Sequence, residues 1–179
     1  MRVIVLIAVG AFSIANVGCE KSPNVVEKPE ADACALLLPE EVAQIIGAPI
    51  TENKSSARND GVFRVTQCFY TAAEPLNSVA LAVTRSRAGG PALKEFWERT
   101  FGDAGGGEPE REREGEEEGR RNPPRKIDGI GDKAFWTNGQ LLYVLKGEIF
   151  LRISVGGTDA EEKKMEKSKT LAVRALGRM

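Results

Sequence analysis

The pattern of hydrophobic and polar positions divides the chain into an apolar start and a longer region in which apolar residues recur at regular spacings. Residues 3–17 form an almost unbroken apolar run, and the chain turns polar at residue 20. Farther along, apolar side chains recur at helical spacing over 38–47, 89–102 and 158–177. Each of these segments ends at a glycine, which is typical of a helix C-terminus. The pattern therefore predicts three helices.

Two groups of strands separate the predicted helices. β-Branched and aromatic residues bounded by turn residues predict strands near 49–53, 62–70 and 79–85, and again at 133–137, 140–146 and 149–155. Asn138-Gly139 is a strong two-residue hairpin signal, and consecutive strands joined by tight turns pair antiparallel. The order is helix, three strands, helix, insertion, three strands, helix. We therefore predict an α+β domain over 32–179, with an antiparallel sheet and the helices packed on one face.

The insertion, residues 102–126, has a composition unlike the rest of the chain. It contains eight acidic residues, six basic residues, six glycines and three prolines, and no large apolar residue. Such a segment cannot bury enough surface to offset its ordering entropy, so we predict a mobile, solvated loop. The run Glu116-Glu117-Glu118 lacks the positional pattern of a calcium loop.

The apolar start predicts where the protein is located. Met1 and Arg2 precede the run, whose fifteen residues are too few to span a bilayer, and Asn16-Val17-Gly18-Cys19 closes it. This order predicts a bacterial secretory signal over 1–18, whose cleavage leaves Cys19 to carry acyl chains. Asn16 departs from the usual leucine, and ordinary secretion or an uncleaved anchor is the alternative. Residues 19–31 form a tether, so we expect a protein exported to the cell envelope and lipid-anchored in the membrane.

Composition and cysteine count exclude some classes of function. Without residues 1–18 the chain keeps 24 basic and 26 acidic residues, a net charge of −2, so it lacks the basic footprint of a nucleic-acid-binding protein. Cys34 and Cys68 are the only other cysteines, and in an exported chain they predict a disulfide. Two buried free thiols are the alternative. A zinc site is less favoured, because the chain contains no histidine.

Candidate catalytic groups are few. The absence of histidine excludes Ser-His-Asp and Cys-His arrangements. The carboxylate pairs Glu40/Glu41 and Asp128/Asp132 are able to transfer protons, but the first pair suits a helix start and the second brackets a glycine turn. We predict a protein that is not an enzyme and holds no metal or cofactor.

Two segments resemble a family of small bacterial envelope lipoproteins that carry a domain of unknown function. The first is Cys34-Ala35-Leu36-Leu37-Leu38-Pro39-Glu40-Glu41-Val42, with a second cysteine in the strand motif Cys68-Phe69-Tyr70. The other is the glycine-rich turn Gly129-Ile130-Gly131-Asp132, which leads into Lys133-Ala134-Phe135-Trp136. The resemblance implies a disulfide between the two cysteines and an exported domain, and it carries over no catalytic residues.

The leading hypothesis for function is a membrane-tethered binding or accessory module that contacts another envelope protein through a sheet face or an edge strand. Phe135 and Trp136 point to opposite faces of one strand, so Trp136, together with Trp97, is a candidate exposed contact residue. The alternative is a carrier of a small apolar ligand. Its pocket would lie between sheet and helices, lined by Phe96, Trp97, Phe135 and Phe150.

Overall fold

The helices and strands lie close to the segments where the hydrophobic pattern predicts them. The computed structural model describes residues 32–87, 93–102 and 123–179, so the predicted signal, Cys19, the tether and most of the insertion lie outside the described residues. The helices are α1 (Pro39–Ile46), α2 (Leu93–Phe101) and α3 (Glu161–Leu176). The strands are β1 (Ile50–Asn59), β2 (Phe63–Ala72), β3 (Val79–Ser86), β4 (Arg125–Lys126), β5 (Lys133–Trp136), β6 (Leu141–Lys146) and β7 (Ile149–Val155).

All seven strands belong to one antiparallel sheet with the order β1-β2-β3-β7-β6-β5-β4. The first three strands form one meander, the last four form another, and β3 pairs with β7 where the two meet. In that central pair Leu81 lies opposite Ile153. The predicted α+β class, its antiparallel sheet and the helices at its start and end are confirmed.

Two strands differ from the prediction because backbone pairing, rather than apolar periodicity, defines them. β1 continues to Asn59 along its partner β2, although residues 51–59 are all exposed. β4 pairs Arg125 with Trp136 and Lys126 with Phe135. The last two residues of the predicted insertion are therefore paired with β5.

The main hydrophobic core lies between one face of the sheet and helices α1 and α3. We call this the α1/α3 face. Alternate residues of the central strands, such as Leu81, Val144 and Ile153, are fully buried there against Leu171 of α3. Tyr70 is buried in the same core, and its hydroxyl donates a 2.8 Å hydrogen bond to the carbonyl oxygen of Leu37.

The opposite face of the sheet carries the second helix, and we call it the α2 face. Trp97 of α2 packs there against Phe135 and Phe150, in a cluster separate from the main core. Phe135 belongs to this cluster, whereas its neighbour Trp136 belongs to the main core. The placement of α2 corrects the expectation that all helices share one face. Successive residues of β5, β6 and β7 are apolar, so both sides of this part of the sheet require cover.

A disulfide and an ion-pair cluster fix the N-terminal part of the domain. Cys34, in a 3₁₀ turn, is bonded to Cys68 of β2, so the predicted disulfide is confirmed. Glu41 of α1 accepts hydrogen bonds from Arg174 at 3.0 Å and Arg178 at 2.7 Å. These contacts hold the end of α3 against the start of α1.

Candidate functional site

Within the described residues, the α2 face is covered only in part. Helix α2 packs over β5, β6 and β7 and against Phe63 at the start of β2, while the rest of the side formed by β1, β2 and β3 lies beside an open groove of about 490 Å³. We call this the sheet groove. Its lining comes from β1, β2, β3, β6 and β7. The groove therefore crosses the central strands beside the aromatic cluster of α2.

The strand register explains the shape of the sheet groove. Ala80 lies between Phe69 on β2 and Ser154 on β7. Ala82 likewise lies between Gln67 and Arg152. Because two alanines on the central strand β3 are flanked by longer side chains, they form a floor and their neighbours form the walls.

Phe69 is the most unusual residue of this surface. Its neighbours Cys68 and Tyr70 point into the main core and are fully buried, so the pleat turns Phe69 outward, where it is 47% exposed. Because this exposed ring borders a groove, Phe69 is a candidate contact residue for a ligand in that groove.

Two polar side chains of the sheet groove are available to a ligand. Arg152 is exposed and Gln67 is half-buried, and within the part of the chain that the structure describes neither makes a hydrogen bond or ion pair. A guanidinium group presents five donors in a fixed geometry that matches a carboxylate. Arginine is enriched among the residues that contribute most of the binding energy at protein interfaces.

The strands that border the sheet groove present an excess of positive charge. The register places Lys54 opposite Phe69, so Glu52, Lys54 and Arg58, at alternate positions of β1, share its face. Arg152 lies on that same face. Glu52 is the one acidic residue among these side chains, and it pairs with Lys54 at 3.3 Å. The surface therefore favours a partner that carries negative charge.

The two tryptophans predicted as contact residues are not accessible. Trp97 is 1% exposed and Trp136 is 2% exposed. The indole nitrogen of Trp136 donates to Glu161 at the start of α3, at 2.7 Å. Both side chains support the core, so the expectation that either one is a surface contact is wrong.

The residues proposed to line a carrier pocket pack against one another. The ring centroids of Trp97 lie 5.6 Å from Phe135 and 5.5 Å from Phe150, and those of Phe96 and Phe150 are 5.9 Å apart. The four aromatic side chains are in contact with one another, so this cluster attaches α2 to the sheet.

The carboxylates singled out in the sequence have structural partners. The hydrogen bond from Arg178, followed by that from the Leu38 N–H, lowers the pKa of Glu41 to about 2. The pKa of Asp132 is lowered by the Gly147 N–H and by Lys146. Asp128 pairs with Lys126 at 3.3 Å, and Glu40 is exposed in the first turn of α1. Among the residues that the structure describes, no group of three acidic or cysteine side chains is arranged to hold a metal ion.

Sequence reasoning missed Phe69, Gln67 and Arg152, although part of the signal was present. Cys68 and Tyr70 are two residues apart, so placing both in the core requires Phe69, between them, to face the other side of the strand.

Comparisons of the chain with protein-family models, with curated proteins and with solved structures found no match. Within the described ranges, no helix is long and apolar enough to cross a membrane.

Proposed function

We propose that this protein is an exported lipoprotein, tethered through Cys19, that serves as a binding module for another envelope protein. The sheet groove is its binding surface. The observation that carries the proposal is Phe69, an aromatic side chain half exposed on β2, which lines the same groove as Arg152, a side chain that has no hydrogen bond or ion pair among the described residues. The segment 1–19, with its apolar run closed by Gly18-Cys19, supports the location.

The chemistry of the groove specifies the kind of partner segment. Two alanines form a floor that an extended chain is able to approach closely, and Phe69 offers an apolar contact. Arg152 and Lys54 lie on either side of that floor, on β7 and β1. An extended segment that crosses this floor, with an apolar residue over Phe69 and a carboxylate at Arg152, satisfies these features together.

Site-directed photo-crosslinking in intact cells tests this proposal. The photoreactive residue p-benzoylphenylalanine replaces Phe69 in one variant and Leu76 in the control, since Leu76 is 74% exposed in the 3₁₀ turn Pro75–Asn77. We expect a discrete adduct with one envelope protein at position 69 and none at position 76. Adding Arg152→Glu to the position-69 variant is expected to reduce the adduct yield about tenfold, the scale of one charge-assisted hydrogen bond.

A matched charge reversal separates this contact from general electrostatic effects. Lys94 is exposed on α2, outside the lining of the sheet groove, so Lys94→Glu is expected to leave the adduct unchanged. Equal adducts at positions 69 and 76, or equal losses with Arg152→Glu and Lys94→Glu, would contradict the groove as binding surface. Membrane fractionation tests the tether: Cys19→Ala is expected to release the domain from membranes and to prevent normal processing of the precursor.

A further inference from the structure

The outer edge of β1 is the longer of the two sheet edges in the described part of the chain. β1 runs over ten residues, whereas β4, at the other edge, has two. Residues 51–59 are all exposed, and among the described residues β1 pairs only with β2. Its outward backbone groups therefore form a template for another strand. A very short edge strand is one of the ways in which natural sheets prevent such pairing, and β1 does not use it, although it carries the charged residues Glu52, Lys54 and Arg58.

Symmetry restricts how two copies of this edge are able to pair. A twofold axis perpendicular to the sheet keeps equivalent faces of both copies on one side, so a residue pairs only with a residue that points to the same face. Among the registers that this rule allows, two pair nine of the ten residues of β1 with residues of β1 in the second copy. One is centred on Lys54 and the other on Ser55.

The charges of β1 distinguish these two registers. When the pairing is centred on Lys54, that residue lies directly opposite the partner's Lys54, and like charges facing each other destabilise a strand pair. When it is centred on Ser55, Glu52 lies opposite the partner's Arg58, and the symmetry creates this pair twice. In the latter register Lys54 faces the partner's Ser56. The irregularity between Ile50 and Glu52 falls at the end of the ladder.

We infer that two copies of this protein associate through antiparallel pairing of their β1 edges, centred on Ser55. The sheet then continues through both copies, and Glu52 and Arg58 form two ion pairs across the axis. The two sheet grooves lie on the same side of the joined sheet, because Lys54 and Ser56 of each copy line its groove beside the axis. An envelope partner with two binding segments would then engage both copies at once.

A charge-swap series tests the register. The full chain, extracted from membranes in mild detergent, is examined by sedimentation equilibrium in a density-matched buffer. We expect the parent chain to be a dimer and Arg58→Glu to weaken it about tenfold, because each dimer gains two Glu–Glu contacts. Combining Glu52→Arg with Arg58→Glu restores opposite charges and is expected to restore the dimer. Lys94→Glu, far from β1 in the sequence and outside the edge, is the control.

Single cysteines test the axis directly. In the inferred register Ser55 faces its own copy in the partner, within the Cα distance range that a disulfide spans, so Ser55→Cys is expected to form a covalent dimer under mild oxidation. Ala57→Cys, on the same face two residues away, is the control. It is expected to form no more covalent dimer than the parent chain, in which Cys19 is also present. A monomeric parent, a charge swap that fails to restore association, or equal cross-linking at positions 55 and 57 would overturn the inference.

Discussion

Replacing Trp97 with alanine separates a core role for this side chain from a surface role. In the structure Trp97 is 1% exposed, and its ring lies 4.7 Å from Phe101, 5.6 Å from Phe135 and 5.5 Å from Phe150, between centroids. Truncating a buried tryptophan costs about 3–5 kcal/mol, and each aromatic pair contributes about 0.5–1.5 kcal/mol beyond its buried area. We expect Trp97→Ala to lower the free energy of unfolding by about 4 kcal/mol, because the short helix α2 has few other buried side chains.

Urea unfolding followed by far-ultraviolet circular dichroism measures this loss. With an m-value of about 2 kcal/mol per molar urea, the midpoint should fall by about 2 M. Leu76→Ala is the control: its side chain is 74% exposed, and we expect a change within about 0.5 kcal/mol. A loss below about 1 kcal/mol for Trp97→Ala, with α2 still helical, would refute the reasoning and restore Trp97 as a surface residue.

Three further measurements address the main core and its ionic contacts. Tyr70→Phe leaves the carbonyl of Leu37 without its donor and should cost about 1–3 kcal/mol. Because burial raises the pKa of Tyr70 to about 12, the parent should lose stability as the pH rises from about 10 toward 12, and the variant should lack this decline in urea midpoint. The pKa of Glu41 is lowered to about 2, so its contribution to the free energy of unfolding should vanish as the pH falls from about 4.5 to 2. The Glu41→Gln variant should therefore lose less stability than the parent over this acidic range. Reducing the disulfide, which joins residues 34 positions apart, should lower the unfolding free energy by about 4 kcal/mol, with Cys34→Ala/Cys68→Ala as the variant that no longer responds to reductant.

Periodicity was sufficient where a segment has one apolar face. β7 occupies Ile149–Val155, the range that alternation predicts, and α1 ends at Gly47 in a left-handed conformation with φ 77°. It predicted only the first part of β1. The residues after Ile50 are exposed on both faces and, except for Ala57, polar, so they show no alternation of apolar and polar positions. That strand is defined by hydrogen bonds to β2, which are a tertiary property.

The number of covered faces was harder to predict than the strands themselves. In Phe135-Trp136 two aromatic residues occupy opposite sides of one strand, which requires either exposure or a second cover. Sequence alone offered no means of assigning α2 to the second face, because its apolar stripe fits either side of a sheet. The candidate site depends on the same unknown: Phe69, Ala80 and Arg152 come together only through the register of β2, β3 and β7.

The two faces of β2 and β3 differ in how far they are buried. On the α1/α3 face, alternate residues of β2 and β3 such as Tyr70 and Leu81 are fully buried. On the other side of β2, Phe63 packs against Phe96 of α2. On the α2 face, the same strands carry Ala80, Ala82 and the half-exposed Phe69, none of which helix α2 covers. Packing therefore accounts for Trp97, which is 1% exposed, more fully than for Phe69, which is 47% exposed. This contrast is why the sheet groove, and not the tryptophans, is the surface on which we expect a partner to bind.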